Sequence, residues 1–300
     1  FASKEPHKKT AIDLRINSII LRRVAFQYNE LYKLSKPGKL DFAHLSVKDL
    51  NANVSLKSIT PQSINLRVRS LSFKEKSGLD IRQFHFKLNA NRQNAQIEDF
   101  CLEMPHTHFQ QTSLLATYDI RKGFSTFAST LHIGATLKDL QVATSDLRPL
   151  IKFPTGMDAT IRLSTSLLLT PQKLQLNQFS AHTTDNKFKI QTDFTWNRQG
   201  GKGLTASVNI KQLFVGAPLG SNIAQWTGLK EKDAQLIARI GDINASAHVL
   251  IKDKHHATGA LILHTTVGQV AADATWDSSL LSVKSQLTDV RPSVIFNNPK

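Results

Sequence analysis

The chain alternates hydrophobic and polar residues at every second position over long stretches. Ile64, Leu66 and Val68 alternate with asparagine and arginine, and Phe84 and Phe86 alternate with histidine and lysine. Because successive side chains of a strand point to opposite faces, each stretch predicts a strand with one apolar and one solvated, often basic face. Strands buried on both faces would read as continuous hydrophobic runs, so the pattern favours antiparallel meanders.

Turn-forming segments separate the predicted strands, and helical periodicity is scarce. SKPGK at 35–39 and RQGGKG at 198–203 have the composition of tight turns. The main helical candidate is SNIAQWTGLKEKDAQLIARI at 221–240, where Ser221 is a candidate N-cap and Gly228 is expected to interrupt the helix. The sequence therefore predicts an all-β protein with few short helices.

Two ten-residue segments are nearly the same: TSDLRPLIKF at 144–153 and LTDVRPSVIF at 287–296. Proline disfavours the helical conformation of the residue before it and cannot donate to a sheet ladder. Each copy is therefore expected to end a strand and turn the chain, with a short helical turn after the proline. Asp146 and Asp289 are expected to bind nearby backbone amides in that turn.

A longer repeat surrounds these segments. ATYD at 116–119, FTWN at 194–197 and ATWD at 274–277 recur at offsets of 78 and 80 residues, and FVGAPLG at 214–220 is a weaker copy of the proline element. A fixed period indicates a repeat architecture, here with five to seven strands per repeat. A propeller is the competing geometry, but its blades are about 40–45 residues long. The expected organisation is one elongated domain over 1–300, with approximate units 12–75, 76–153, 154–220 and 241–296 and a helical insertion at 221–240.

Composition narrows the class of protein. The 300 residues are 40% hydrophobic, which suits a folded chain, and no run of about 20 apolar residues predicts a membrane-spanning helix. The start, FASKEPHKK, has neither a signal peptide nor a methionine, so we expect a segment excised from a longer protein. The single cysteine, Cys101, excludes an internal disulfide, and the net charge of +15 predicts attraction to anionic partners.

Motifs of catalysis or cofactor binding are absent. The sequence has no G-x-S-x-G elbow, no phosphate loop and no H-E-x-x-H. His106 and His108 would share a face of an extended segment, but Glu103 is the only acid close by, so we expect no metal. The carboxylates form no pair that the sequence places together. The prediction is a protein without enzymatic activity, cofactor or metal.

The basic residues fall mostly on solvated strand positions. No nucleic-acid module with interleaved aromatic residues is present, so nucleic acid is not an expected partner. A solvated basic face is the plain interpretation, and attraction to lipid head groups is the functional one. The clustered basic residues are Arg67, Arg69, Lys74, Lys76, Arg82 and Lys87.

A sheet with one apolar face must hide that face. It can pack on a second sheet to form a dry core, or curl into an open groove that takes a guest, and the sequence leaves both open. An acyl chain suits such a groove because it gains about 0.8 kcal/mol per buried CH₂ without directional demands. The residues expected on this face are Ile64, Leu66, Val68, Phe84, Phe86, Leu88, Tyr118, Ile133, Leu137, Phe194, Trp196, Val208, Ile210 and Trp276.

The chain resembles the periplasmic domain of AsmA-like proteins, particularly the TamB branch, over nearly its whole length. The resemblance lies in NLRVRSLSFKEKSGLDIRQFHF at 65–86, in LQLNQFSAHTTDNKFKIQTDFTW at 174–196, and in the passages from a strand into DLRP. It implies an internal stretch of an open, taco-shaped β-bridge that carries phospholipids between the inner and outer membranes of a bacterial envelope. It also implies an inner-membrane helix outside this segment.

Two other functions stay open. The TamB branch is also associated with outer-membrane protein assembly through a barrel partner of the TamA type, which implies a scaffold for unfolded outer-membrane proteins. That partner is less expected here, because no separate C-terminal domain follows the strands. A compact β-sandwich, as an adhesin or enzyme domain, is the third hypothesis.

Overall fold

Antiparallel strands make up most of the protein. The computed structural model describes residues 13–60, 62–121, 123–153, 158–199, 203–217, 219 and 231–295. Within them, fifteen strands follow one another in the sheet in their order along the chain. The strands are β1 (Leu14–Asn29), β2 (His44–Ile59), β3 (Ser63–Glu75), β4 (Asp80–Asn91), β5 (Asn94–Glu103), β6 (His108–Thr117), β7 (His132–Ala143), β8 (Thr160–Thr170), β9 (Lys173–Thr183), β10 (Phe188–Gln199), β11 (Gly203–Val215), β12 (Ile243–Ile251), β13 (His256–Thr265), β14 (Gly268–Asp277) and β15 (Leu280–Thr288).

The described helices are short. They are α1 (Phe127–Thr130), which follows a 3₁₀ turn at Phe124–Thr126, α2 (Thr144–Leu147), α3 (Glu231–Ile240) and α4 (Pro292–Ile295). The prediction of an all-β, antiparallel fold with few short helices is confirmed. Helix α3 occupies the second half of the predicted helical segment, whereas Ser221 and Gly228 lie outside the described residues.

Contacts divide the chain into two units. Unit 1 comprises Phe1–Pro105 and Gln110–Leu131, and unit 2 comprises His106–Phe109 and His132–Lys300.

The long sequence repeat corresponds to four strands, because Trp196 lies in β10 and Trp276 in β14. The expectation of five to seven strands per repeat is therefore wrong.

Bulges keep the hydrophobic residues of the long strands on one face. Asp139 in β7 has a φ of 48° and lies at a register shift between Leu137 and Leu140. One extra residue reverses the alternation, so hydrophobic residues at odd positions before Asp139 share a face with those at even positions after it. The same combination of a positive φ and a register shift occurs at Arg23, Asp49, Asp99 and Gln178.

Side chains of neighbouring strands bind the backbone at three of these bulges. The N–H of Asp139 donates to Ser164 Oγ at 2.9 Å, and the N–H of Gln178 donates to Asp193 Oδ1 at 2.7 Å. The N–H of Arg23 donates to the amide oxygen of Asn51 at 3.0 Å. Each bond satisfies a donor that the interrupted ladder would leave unpaired, so these bulges are built features of the sheet.

The two proline elements end strands, as predicted, but their helical turns differ. Strand β7 ends at Ala143 and β15 at Thr288. The helical turn precedes the proline in the first copy, as α2, and includes the proline in the second, as α4. The prediction of a helix after the proline is therefore wrong for Pro149, although a turn closed by a hydrogen bond from the Ile151 N–H to the Leu147 carbonyl at 2.9 Å encloses it. Phe296 of the second copy and Pro218 of the weaker copy lie outside the described residues.

The aspartates of the two copies also differ. Asp146 is buried and accepts a hydrogen bond from the backbone N–H of His106 at 2.7 Å, so its amide partner is distant in sequence rather than nearby. Asp289 has a φ of 52° and is exposed. Its turn packs on the β13–β14 turn, where a Cβ on Gly268 would lie 2.7 Å from Val290 Cα. That approach, together with a φ of 144°, requires glycine at 268.

Candidate functional site

In unit 1, the six expected residues of β3 and β4 lie on one face. Leu66 pairs with Leu88, and Val68 pairs with Phe86. Directly paired side chains on one face lie about 5 Å apart, so such pairs form continuous rows across the strands. One row crosses β1 to β5 and consists of Ile16, Leu56, Leu66, Leu88 and Ile97.

An aromatic cluster lies beside this row. The ring of Phe84 is 5.3 Å from that of Phe86 and 5.7 Å from that of Phe100, which it meets edge to face. Phe84 pairs across the strands with Leu71, and Ile64 pairs with Ala90. The face thus combines aliphatic rows with aromatic surface, and aromatic pairs of this geometry add about 0.5–1.5 kcal/mol beyond the area they bury.

Unit 2 carries longer rows. Ile133, Trp196 and Trp276, all expected on the apolar face, belong to one row that crosses β7 to β15. Its members are Ile133, Leu169, Leu174, Trp196, Ala206, Ile251, Ala257, Trp276 and Leu281. A parallel row on the same face contains Ala135, Leu167, Leu176, Phe194, Val208, Val249, Gly259, Ala274 and Val283.

Two further expected residues lie on this face of unit 2 beside polar partners. Leu137 pairs with Thr165, and Ile210 pairs with Thr192 and Ala247. Thr192 Oγ1 donates to the carbonyl of Asn209 at 3.0 Å, and this hydrogen bond satisfies the hydroxyl within its apolar surroundings. The structure therefore brings all seven expected residues of unit 2 to one face.

The apolar faces are only partly buried. In the part of the chain that the structure describes, no large side chain is less than 2% exposed. Val68 is buried, whereas Ile64 and Trp276 are each 40% exposed. The last strand, β15, is exposed along its whole length, with Leu281 at 64%. These faces therefore present hydrophobic surface that the described residues cover incompletely.

The opposite faces are mainly polar. In unit 2, the row beginning at Gly134 and Leu168 continues through Gln175, Thr195 and Ser207. The predicted segregation into one apolar and one solvated face is thus present in the register of the sheet. Leu168, which is 39% exposed, is a hydrophobic exception on the polar face.

In unit 1 the polar face is basic. Arg67 pairs directly with Lys87, and both line a cavity of about 310 Å³ together with Lys57. Lys87 Nζ lies 2.7 Å from Asp99 Oδ2. The hydrogen bond and the charge of Lys87 hold the pKa of Asp99 below its ordinary value. Arg67 and Lys87 thus occupy the solvated positions that the alternation predicts.

Tyr118 has a different role from the other expected residues. Its hydroxyl donates to the carbonyl oxygen of Asn91 at 2.8 Å and contacts that of Asn94 at 3.2 Å. Its ring lies 5.2 Å from that of Phe127 in α1, and burial raises its pKa. Tyr118 therefore ties the β4–β5 turn to the segment after β6.

His106, Asp146 and Cys101 have structural contacts or surroundings. Among the described residues, no group of three or more His, Cys, Asp or Glu side chains could hold a metal ion. His106 Nδ1 lies 3.2 Å from Asp146 Oδ1, where it completes the contact made by its own backbone N–H. Cys101 is buried, and burial raises the pKa of its thiol, which disfavours the reactive thiolate.

Several residues of the apolar rows were not predicted. Val54 and Leu56 alternate with serine and lysine, so their signal was present in the sequence. Leu167 and Leu169 were hidden because Leu168 between them makes a continuous hydrophobic run. Alternation does not assign a face within such a run, and the register with β7 was needed to separate the three.

The comparisons with known proteins identify no relative. No protein-family model, no curated protein and no solved structure matches this chain. Within the described ranges, none of the helices has the length and hydrophobicity needed to cross a membrane.

Proposed function

We propose that this chain binds phospholipid acyl chains along its apolar faces. In this proposal it is a periplasmic segment of a bridge that carries phospholipids between the inner and outer membranes, without enzymatic chemistry. The observation that carries the proposal is the pair of hydrophobic rows that cross β7 to β15 on one face of unit 2.

Continuous rows suit a long, featureless guest. Neighbouring strands lie about 4.8 Å apart, so a chain that crosses the strands meets a new hydrophobic side chain at each step. Each buried CH₂ contributes about 0.8 kcal/mol without directional bonds. A guest can therefore move from strand to strand without breaking a specific contact, as transport requires.

The partial exposure of the face also supports a guest. Proteins rarely leave contiguous hydrophobic patches of more than a few hundred Å² in water, and larger patches mark binding surfaces. Val249, in the inner strand β12 of the parallel row, is 38% exposed, and Trp276 is 40% exposed. A closed core would bury such side chains, whereas a lipid-binding surface keeps them accessible.

A scaffold for unfolded outer-membrane proteins is the second candidate. The observation that favours it is the incomplete cover of the hydrophobic faces, where Ile64 is 40% and Val249 38% exposed. An extended peptide with alternating hydrophobic side chains could lie against these faces. A barrel partner of the TamA type belongs to this alternative.

The experiment that tests the proposal is native mass spectrometry with organic extraction. The protein is purified in mild detergent and exchanged out of it before measurement. Several phospholipids per chain would support the lipid-binding face. A lipid-free protein that also binds no added phospholipid would contradict it. Retention of unfolded outer-membrane protein segments by a lipid-free protein would favour the scaffold.

A further inference from the structure

We propose that the β1–β2 loop, residues 30–43, docks on the surface of an anionic phospholipid membrane. Leu31, Tyr32, Leu34 and Phe42 would enter the interfacial layer, while Lys36 and Lys39 would face the phosphate groups. The proposal concerns the loop of unit 1 alone and needs no acyl chain on the apolar faces.

The loop holds the four most exposed large hydrophobic side chains of the described residues. Leu31 is 89%, Tyr32 97%, Leu34 93% and Phe42 73% exposed. Single exposed hydrophobic residues are ordinary, but several together mark an interaction surface. Tyrosine is enriched where a membrane meets water, because its ring is apolar and its hydroxyl stays hydrated.

The loop has a defined internal structure. Its ends are closed by a hydrogen bond from Glu30 N–H to the Ala43 carbonyl at 2.8 Å. The Asp41 carboxylate accepts from the N–H of Lys36 at 3.0 Å and from that of Ala43 at 3.1 Å, and His44 Nδ1 lies 3.1 Å away. These bonds hold the backbone while the hydrophobic side chains project into solvent, so their exposure is a property of the folded loop.

The charges of the loop suit an anionic surface. Glu30 pairs with Lys33 at 2.9 Å, and the Asp41 side chain is only 12% exposed because it serves the loop backbone. Lys36 and Lys39 are exposed. The outward charge is thus positive, which complements a bilayer containing anionic lipids. Each lysine near such a surface contributes roughly a fivefold gain in affinity.

The neighbouring end of β1 extends the hydrophobic surface. Phe26 and Tyr28 are 49% and 47% exposed, and they lie on the strand that leads into the loop. Phe26 pairs with Val47 and Tyr28 with Leu45 of β2, so both lie on the paired part of the strand. Aliphatic, aromatic and lysine side chains together are the composition of interfacial membrane-binding segments, and this favours a membrane over a protein partner.

The first test places a fluorescent reporter in the loop. The variant Tyr32→Trp is mixed with vesicles of phosphatidylglycerol and phosphatidylcholine, and the emission of the unsubstituted protein is subtracted. We expect a blue shift and quenching by lipids brominated on their acyl chains. No shift with any vesicle would overturn the proposal, and binding to a soluble protein without vesicle binding would assign the loop to a protein partner.

Matched variants separate the loop from general hydrophobicity and charge. We expect the pair Leu31→Ser and Leu34→Ser to abolish vesicle co-sedimentation. The control pair, Leu150→Ser and Ile151→Ser, removes hydrophobic residues that are 50% and 52% exposed in unit 2 and should leave binding unchanged. Equal losses from both pairs would contradict a loop-specific site.

The electrostatic contribution is tested by Lys36→Gln and Lys39→Gln together. At low salt we expect about a 25-fold loss of affinity for vesicles containing phosphatidylglycerol, and little change for pure phosphatidylcholine. An unchanged affinity would show that the lysines do not face the phosphates. Lipid copies per chain in native mass spectra should not change in any loop variant, so failure here is distinguishable from failure of the proposed lipid carriage.

Discussion

Trp196 and Trp276 lie in one row of unit 2 and occupy equivalent positions of the sequence repeat. Three strands separate them, and each is joined to its neighbours in the row by direct cross-strand pairing. A shift of 80 residues along the chain therefore moves an aromatic side chain along the sheet without moving it off the row. A repeat that keeps a row continuous is what a surface for a sliding guest requires.

The lipid-binding proposal predicts that a charge introduced on the apolar face lowers phospholipid binding, whereas the same charge on the opposite face does not. Leu167 lies in a hydrophobic row, and the adjacent Leu168 lies on the opposite face. We expect Leu167→Asp to lose at least tenfold in phospholipid copies, because a carboxylate within a hydrophobic row must stay hydrated. Native mass spectrometry of the two variants measures this.

The control is Leu168→Asp, which we expect to retain its lipid. If the face is open, both variants should unfold within about 1–2 kcal/mol of the unsubstituted protein, since the new carboxylate reaches water in each. If Leu167→Asp alone loses several kcal/mol in urea unfolding, the row belongs to a dry core.

The two aspartates of the repeated proline element should differ in their effect on stability. Asp146→Asn removes the charge that serves the N–H and ring of His106, with an expected cost of about 1–2 kcal/mol in the free energy of unfolding. Asp289→Asn should change it by less than about 0.5 kcal/mol, because the side chain is exposed and asparagine tolerates a positive φ. Equal effects would refute the distinct role of Asp146.

Backbone conformation at the β7 bulge makes another prediction. Asp139 has a φ of 48°, which glycine adopts freely and a β-branched residue resists. Asp139→Val should therefore be about 1–2 kcal/mol less stable than Asp139→Gly in denaturant unfolding. Both variants lose the ion pair with Arg162, so the comparison isolates the backbone. Similar stabilities would mean that the bulge relaxes.

His256 predicts a local pH dependence in unit 2. Its Nδ1 lies 2.9 Å from Asp253, and its Nε2 lies 3.3 Å from Asp277 on the next connection. The hydrogen bond to Asp253 and the charges of Asp253 and Asp277 raise its pKa, and Lys252 opposes this. The His255 ring is the other titratable group against it.

A raised pKa means that the folded state favours the protonated ring. The stabilisation is therefore complete below the unfolded pKa of about 6.5 and is lost as the pH rises through the higher folded value. The readout is hydrogen exchange of the Ser278 amide, which donates to the His255 carbonyl at 2.6 Å. Protection should fall across that range, beyond the intrinsic rate change, and His256→Gln should remove the dependence.

Alternation within strands could be read from the sequence, but the bulges could not. The alternating patterns around Ile64 and Phe86 placed these two residues on one face correctly. No bulge interrupts the pairing of the two strands from Ile64 to Val68. At Asp139, the reversal of alternation looks like the end of a strand. Only the ladder with β8 shows that the strand continues with one extra residue.

Contacts between residues far apart in the chain could not be predicted from the sequence either. The shared letters of the proline elements predicted equivalent turns, yet Asp146 meets His106 whereas Asp289 takes a left-handed conformation. Which amide a turn aspartate binds depends on the element packed against it. The residues of the turn itself do not determine which element packs against it. The exposure of Leu31 and Tyr32 likewise depends on what the fold leaves uncovered.

The consecutive strand order has a kinetic consequence. Because every described strand pairs with its neighbours in the chain, hairpins such as β4–β5 and β8–β9, whose strands are two residues apart, close with little loss of chain entropy. Assembly can therefore start from such hairpins and proceed strand by strand. Disassembly can likewise be local, because each inner strand is held by its two neighbours in the sheet, so such a sheet tolerates partial opening without global collapse.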